Sequence, residues 1–446
     1  MDVTQLTGEV FQPGQDGYAE EVAGFQTAVP SDPAVVVGAT TAEDVVTAVR
    51  FAAAHDLPVA VQATGHGLTR GSDGGLLIST RRMTGVEIDA AASTARVEAG
   101  VRWGAVIEAA AKHGLAPLSG SSPDVGVVGY TLGGGFGLMG RRYGRAADHV
   151  RALDVVTADG ELRHVDADAD PDLFWALRGG RDSFGIVTAL EFALVPVTEL
   201  YGGGLHFDTA DLPAVLRAWR TWSAAAPDAL TTSLALIPYP DLPMVPEPLR
   251  GKHIAHVRIA YLGDGGDELV APLRAAAPAL MDTLKRMPFT ESGSIAAEPP
   301  HPHGYHGTNA TVAQLNDAML DAILEHAGPG AAVPTVLIVD RLGGALGRPA
   351  ETPGVGWDSS AEFVVRALSV IGDAGADVVR RAHAKLFGAL APWTTGRLLP
   401  FVYGEHAPAD IAESVHPAAE LRRLRELQHR YDPKGTFRVD HQAQRR

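Results

Sequence analysis

Val59–Gly75 reads VAVQATGHGLTRGSDGG. It opens as a short apolar strand, Val59-Ala60-Val61, and then breaks into the turn-rich segment Ala63-Thr64-Gly65-His66-Gly67. A glycine on each side of His66 lets the backbone take φ > 0 and come close to a ligand. The imidazole is then offered to whatever fills the concave side of the loop. Taken alone, an ordinary surface loop explains the stretch more readily than a binding site does. The rest of the chain has to decide.

Outward from this loop, Ala34–Val37, Leu76–Ser79, Val86–Asp89 and Ala95–Ala99 read as strands. Thr40-Thr41-Ala42-Glu43 reads as a capping box, with Thr40 as N-cap and Glu43 reaching back, opening a helix to about Ala54. Trp103–His113 is a second helix, followed by Gly114. A hairpin across Asp159-Gly160 joins Leu153–Thr157 to Glu161–Val165, Pro171–Arg178 is a short helix, and Ile186–Val195 is a strand. After Pro196 the glycines scatter, and strands such as Leu234–Ile237, His256–Tyr261 and Thr335–Val339 alternate with helix-like segments, a second α/β lobe. Glu298–Asn309 and Gly343–Ser360 read as loops, and Leu421, Leu424 and Leu427 mark an amphipathic helix near the end.

The 446 residues exceed one compact core, so two lobes are expected. Hydrophobic residues at 46% and charged residues at 20% give a soluble globular profile, and the net charge of −16 argues against nucleic acid or an anionic membrane as partner. The absence of cysteine excludes disulfides, thiolate catalysis and Cys-ligated metals. The first residues carry no basic and apolar leader pattern, and no apolar run approaches the ~18 residues of a membrane span, so a cytoplasmic monomer or homodimer is expected.

Leu118–Arg145, LSGSSPDVGVVGYTLGGGFGLMGRRYGR, holds nine glycines and no helical periodicity before its end. Gly135-Phe136-Gly137-Leu138-Met139-Gly140 matches G-x-G-x-x-G, with Asp154 near the ribose-acid position, but a dinucleotide fingerprint needs a hydrophobic strand before it and a helix after it. Neither flank fits. As one unit, Gly120–Gly137 is instead a long backbone surface with N–H groups free of side chains, suited to a pyrophosphate or a flat polar ring. His301-Pro302-His303-Gly304-Tyr305-His306 places three imidazoles in six residues. Prolines on both sides hold His301 extended, so a loop over a substrate site is favoured over plain surface or a metal, and no metal is expected.

Six segments in order carry a resemblance: Ala63–Gly67; Ser122-Pro123-Asp124-Val125-Gly126-Val127-Val128-Gly129-Tyr130-Thr131-Leu132-Gly133-Gly134-Gly135-Phe136-Gly137; Arg141–Gly144; Asp172–Gly180; Ser183–Thr188; and Tyr431–Arg438. Over nearly the whole chain the sequence resembles the berberine-bridge-enzyme-like branch of the vanillyl-alcohol-oxidase/PCMH superfamily of flavoproteins. The resemblance implies an α+β, two-lobed fold. Residues 1–199 would form a PCMH-type FAD-binding domain, and 200–390 a second α/β substrate domain, an antiparallel sheet covered by helices. Residues 391–446 would return to the FAD domain.

The same resemblance implies FAD joined through its 8α-methyl to His66. Many relatives add a second bond from a cysteine. Ser122 stands at that position here, so attachment is expected through His66 alone. The implied cofactor contacts are Ala63, Thr64, Gly65, Gly67, Gly120, Ser121, Ser122, Val125, Gly126, Gly129, Tyr130, Gly133, Gly134, Gly137, Ile186, Val187, Asp440 and His441. A small residue at Val125 goes with O2 access and so with an oxidase. Relatives carry a Tyr–Asn pair where this chain has Phe401 and Tyr403, which leaves Tyr403, or less directly Tyr130, as acid/base. The expected activity is oxidation of a small organic molecule with O2 reduced to H2O2. A flavin oxygenase or redox-neutral cyclase on the same fold is the alternative, and a non-catalytic flavin-binding protein is the third.

Overall fold

The computed structural model describes residues 6–437 apart from 182, 357–358, 374 and 406–407. Three sheets carry the architecture. The first is four-stranded, in the order Glu9–Phe11, Val35–Gly38, Leu76–Ser79, Val59–Gln62; its outer pair is antiparallel and the others are parallel. The parallel strands need a crossover. The helix Ala42–Ala54 supplies one, burying Val45, Val46, Ala48, Val49 and Ala52. Its capping box lies one residue later than the sequence reading placed it: Thr41 is the N-cap and Asp44 the returning acid. The Asp44 carboxylate also accepts from the backbone N–H groups and hydroxyls of Thr40 and Thr7, and these bonds hold its pKa down to about 2 against the burial that would raise it.

The second sheet is antiparallel, ordered Val86–Asp89, Thr94–Glu98, Ile186–Ala193, Val150–Val156, Leu162–Asp166. Gly160 turns the last hairpin at φ 74°. One continuous apolar core joins these two sheets to the helices Trp103–Ala111 and Pro171–Leu177. The helix Ala418–Tyr431 returns to the same core through Leu424 and Leu427, and Phe437 bridges to Val59, where the Val59 N–H donates to Thr436 at 2.7 Å.

The third sheet has nine strands, drawn from residues 199–396, and every pairing is antiparallel. Successive side chains of a strand point to opposite faces. Val257 and Ile259, Leu337 and Val339, and Val365 and Ala367 all enter the core beneath helices such as Leu212–Ala224, Asp317–Ala327 and Ala376–Leu390. Arg258 and Arg366, which fall between these pairs, and Asp340, next after Val339, therefore face the other way, and they line a cavity against Ser121 and Phe136–Leu138 of the glycine stretch. No helix among the described residues is long and apolar enough to cross a membrane.

Three buried arginines tie the lobes together through backbone carbonyls. Arg141 donates to Leu230, Ala226 and Leu342, Arg145 to Val355, and Arg178 to Thr352 and Pro353. The Gly343–Ser360 loop is thereby pinned to the first lobe.

Candidate functional site

The strand Val59–Gln62 runs straight into the His66 loop. Gly65 has φ 70°, and a methyl group there would lie 2.6 Å from Gly24 Cα, so both the turn and the close approach require glycine. The neighbouring chain uses that space: Phe25 N–H donates to Thr64 at 2.9 Å and Gln26 N–H to Gly65 at 3.1 Å. Phe25 then stacks on the imidazole, with centroids 3.9 Å apart and planes 13° from parallel. His66 Nδ1 lies 2.9 Å from Thr64 Oγ1. The Tyr305 hydroxyl donates to the His66 carbonyl at 2.6 Å. Burial, aided by the charge of Arg102, pushes the His66 pKa down to about 4, so the ring keeps its lone pair at neutral pH. Gly67 differs from the expectation of φ > 0 on both sides of the histidine. Its φ is not positive, and the nearest atom to a methyl there is Arg181 Nη2 at 3.8 Å.

The glycine stretch contains a helix that periodicity does not announce, Val127–Leu132. Val127, Val128, Thr131 and Leu132 are buried on one side, with Gly126 and Gly133 as its caps. On the other side Gly129 is exposed, and a methyl there would meet nothing within 4 Å. A methyl on Gly126 would lie 3.5 Å from Thr64 Oγ1. The His66 loop thus packs against the start of this helix, and Gly129 one turn on presents bare backbone.

The remaining glycines serve packing. A methyl on Gly120 would lie 3.0 Å from the Tyr130 ring, one on Gly135 2.6 Å from it, and one on Gly137 2.9 Å from the Tyr130 hydroxyl. Tyr130 sits edge-on to Trp103, its hydroxyl buried without a hydrogen-bond partner, and burial drives its pKa above the ordinary phenol range. It is packed beneath the glycines. Gly134 takes φ 105° just past the helix. Ser121 Oγ donates to Glu298 at 2.5 Å, and Ser122 Oγ accepts from Asp124 N–H at 3.4 Å. Val125 is half-buried and its carbonyl accepts from Trp103 N–H. Ile186 and Val187 bury their side chains in the core of the second sheet, so only their backbone is left for a ligand. Asp440 and His441 lie outside the described residues.

The large sheet approaches the same loop. Residues 298–309, read as one loop, end inside the strand Tyr305–Val312, and its alternation separates the imidazoles. Tyr305 turns to His66, whereas His306 turns to the helix Ala376–Leu390, with Nδ1 3.1 Å from His383 Nδ1. His303 packs edge-on to Phe25. Tyr403 bridges Gly307 through two backbone bonds of 3.0 Å, and a methyl on Gly307 would strike its ring at 2.6 Å. The Tyr403 ring lies edge-on to Tyr305 at 5.8 Å. Burial raises its pKa to about 12, against the pull of the Arg366 charge.

These residues fit a flavin dinucleotide. Gly129 leaves open backbone that a side chain would fill, Gly126 lets the helix start pack on Thr64, and the His66 loop carries a neutral imidazole. Residues 33–166 match the family described as FAD binding domain. The match covers the FAD-binding part of the chain, and over its whole length the chain shares its fold with FAD-linked oxidases of known structure. It is similar to (R)-6-hydroxynicotine oxidase of Paenarthrobacter nicotinovorans, 35% identical over 42% of this chain and 42% of that one. In such alignments the chain spans about half the length of the curated relatives it matches. An FAD-linked oxidoreductase of Dictyostelium discoideum is 25% identical over 97% of this chain and 94% of its own. The crystal structure of 6-hydroxy-D-nicotine oxidase from Arthrobacter nicotinovorans superposes with TM-score 0.83 at 25% identity, over 98% of this chain and 97% of that one.

Sequence reading did not find Phe25, Gln26 or Tyr305. Tyr305 stands inside the His301–His306 segment, between its imidazoles.

Proposed function

We propose that this protein is an FAD-linked oxidase of a small organic molecule, with the cofactor seated against Ala63–Gly67 and Gly126–Gly129, joined covalently through His66, and with O2 as final acceptor. The observation that carries the reading is a neutral, Phe25-stacked imidazole on a loop packed against the glycine-capped helix that exposes Gly129. The relatives named as oxidases support it. A bound flavin would supply two-electron chemistry: a substrate C–H would lose hydride and the adjoining O–H or N–H a proton, and both electrons and both protons would end on O2 as H2O2.

The chain's own residues do the rest. A neutral imidazole has the lone pair that a bond to carbon requires, and a protonated one does not. Thr64 and Tyr305 fix the ring and its backbone. Tyr403, with its pKa raised to about 12, is a phenol at neutral pH. It therefore donates a hydrogen bond to a substrate oxygen or nitrogen, and takes a proton only once its own has left. Val125 is half-buried and small, which would leave O2 room to approach.

The test is anaerobic mixing of the purified yellow protein with panels of amines, phenols, polyketides and sugars. Bleaching of the visible absorbance by one class, reversed by air with H2O2 released, is the expected result. Product formed without bleaching or H2O2 would replace the oxidase by a redox-neutral enzyme.

A further inference from the structure

Arg258 lies on the strand His253–Tyr261 with its side chain on the cavity face of the large sheet. It is only 9% exposed. Its guanidinium makes two long contacts, Nε to His256 Nδ1 and Nη2 to the Ala296 carbonyl, both 3.4 Å. Among the described residues no carboxylate pairs with it. Arg366 on the same face differs, since Asp340 accepts from its Nε at 2.7 Å and from its Nη2 at 3.3 Å. That pair is neutral as a unit and satisfied.

A buried cation without a counter-charge is among the costliest groups a fold can hold. Its neighbours do not relieve it. Burial keeps the His256 imidazole neutral. Glu298 and Asp340 act on Arg258 only from a distance, because Glu298 is exposed and held by Ser121 Oγ and Asp340 is paired with Arg366. Burial pulls the Arg258 pKa down, yet an arginine stays charged in proteins. The free donors of Arg258 therefore face a cavity whose other walls include Phe136, Phe401 and Ile295.

We propose that Arg258 receives a carboxylate of the substrate, whose apolar body lies between these walls and the flavin site; the oxidised molecule is thus a small organic acid. A guanidinium takes a carboxylate through two parallel N–H bonds, which fixes orientation as well as position. The inference rests on the oxidase reading of the cleft and assigns its substrate class.

The experiment uses the flavoprotein as purified, titrated with benzoate and with benzamide. Binding is read both by perturbation of the flavin absorbance and by thermal shift. Benzoate is expected to bind at least about tenfold tighter than benzamide. Arg258→Met is expected to abolish that preference and to raise the melting temperature of the free protein, because an unpaired buried charge is removed. Arg258→Lys keeps the charge without the fork and is expected to retain part of the preference. Equal binding of the two probes by the native protein, an unchanged preference in Arg258→Met, or a lowered melting temperature in that variant overturns the assignment. A colourless protein without flavin would instead defeat the cofactor reading, while thermal shift still reports on benzoate.

Discussion

The Tyr305 hydroxyl donates to the His66 carbonyl at 2.6 Å across 239 residues of sequence. With Gln26, whose side chain donates to the Tyr305 carbonyl at 2.7 Å and accepts from the Tyr305 N–H at 3.2 Å, it stitches the histidine loop to the large sheet. The two walls of the cleft are thereby held in register. Tyr305→Phe removes one hydrogen bond, a net loss of about 1 kcal/mol, and leaves the loop carbonyl unpaired. The expected outcome is slower and less complete covalent flavin loading with the fold retained, measured as flavin surviving acid precipitation against circular dichroism.

The two glycines flanking His66 separate structure from binding. Gly65→Ala strains a φ of 70° and collides with Gly24, so it should destabilise by about 1–3 kcal/mol in urea unfolding. Gly67→Ala meets only Arg181 at 3.8 Å and should unfold like the native protein. Its expected defect is in flavin content alone.

His206 and His256 stack at 3.9 Å beside Arg258, and burial holds the His206 pKa down to about 4. An unfolded histidine titrates near 6.5. Between these values the unfolded state binds more protons, so stability rises with pH there. Stability should be full above about pH 6.5 and fall steadily toward pH 4. Melting temperatures across this range check it. His206→Phe should flatten the slope, and an unchanged slope in that variant would remove His206 from the account.

Asp340 is 5% exposed and is the counter-charge of Arg366. Asp340→Leu strands that guanidinium and should cost about 3–5 kcal/mol, whereas the double variant with Arg366→Leu should recover most of the loss. A double-mutant cycle in urea measures this coupling.

Much of this was legible in the residues. Leu76–Ser79 and Val86–Asp89 form strands at the expected bounds, and the large antiparallel sheet is the one the family resemblance implies. The helix Val127–Leu132 was not legible, because glycine is a poor helix former and the segment is only six residues long. Burial of Val127, Val128 and Leu132 against the core outweighs that penalty. The imidazoles of this segment part for a structural reason. Tyr305–Val312 is a strand, and period two sends His306 away from His303. Arg258, Asp340 and Arg366 come from three strands, and their shared face follows from strand order, which local sequence does not contain.

The central claim is that His66 is the sole covalent tether of an FAD held beside Gly126–Gly129. Acid-precipitated native protein should stay yellow and fluoresce on a denaturing gel, and His66→Ala protein treated in the same way should release all of its flavin. Flavin retained by the denatured His66→Ala protein would contradict the claim.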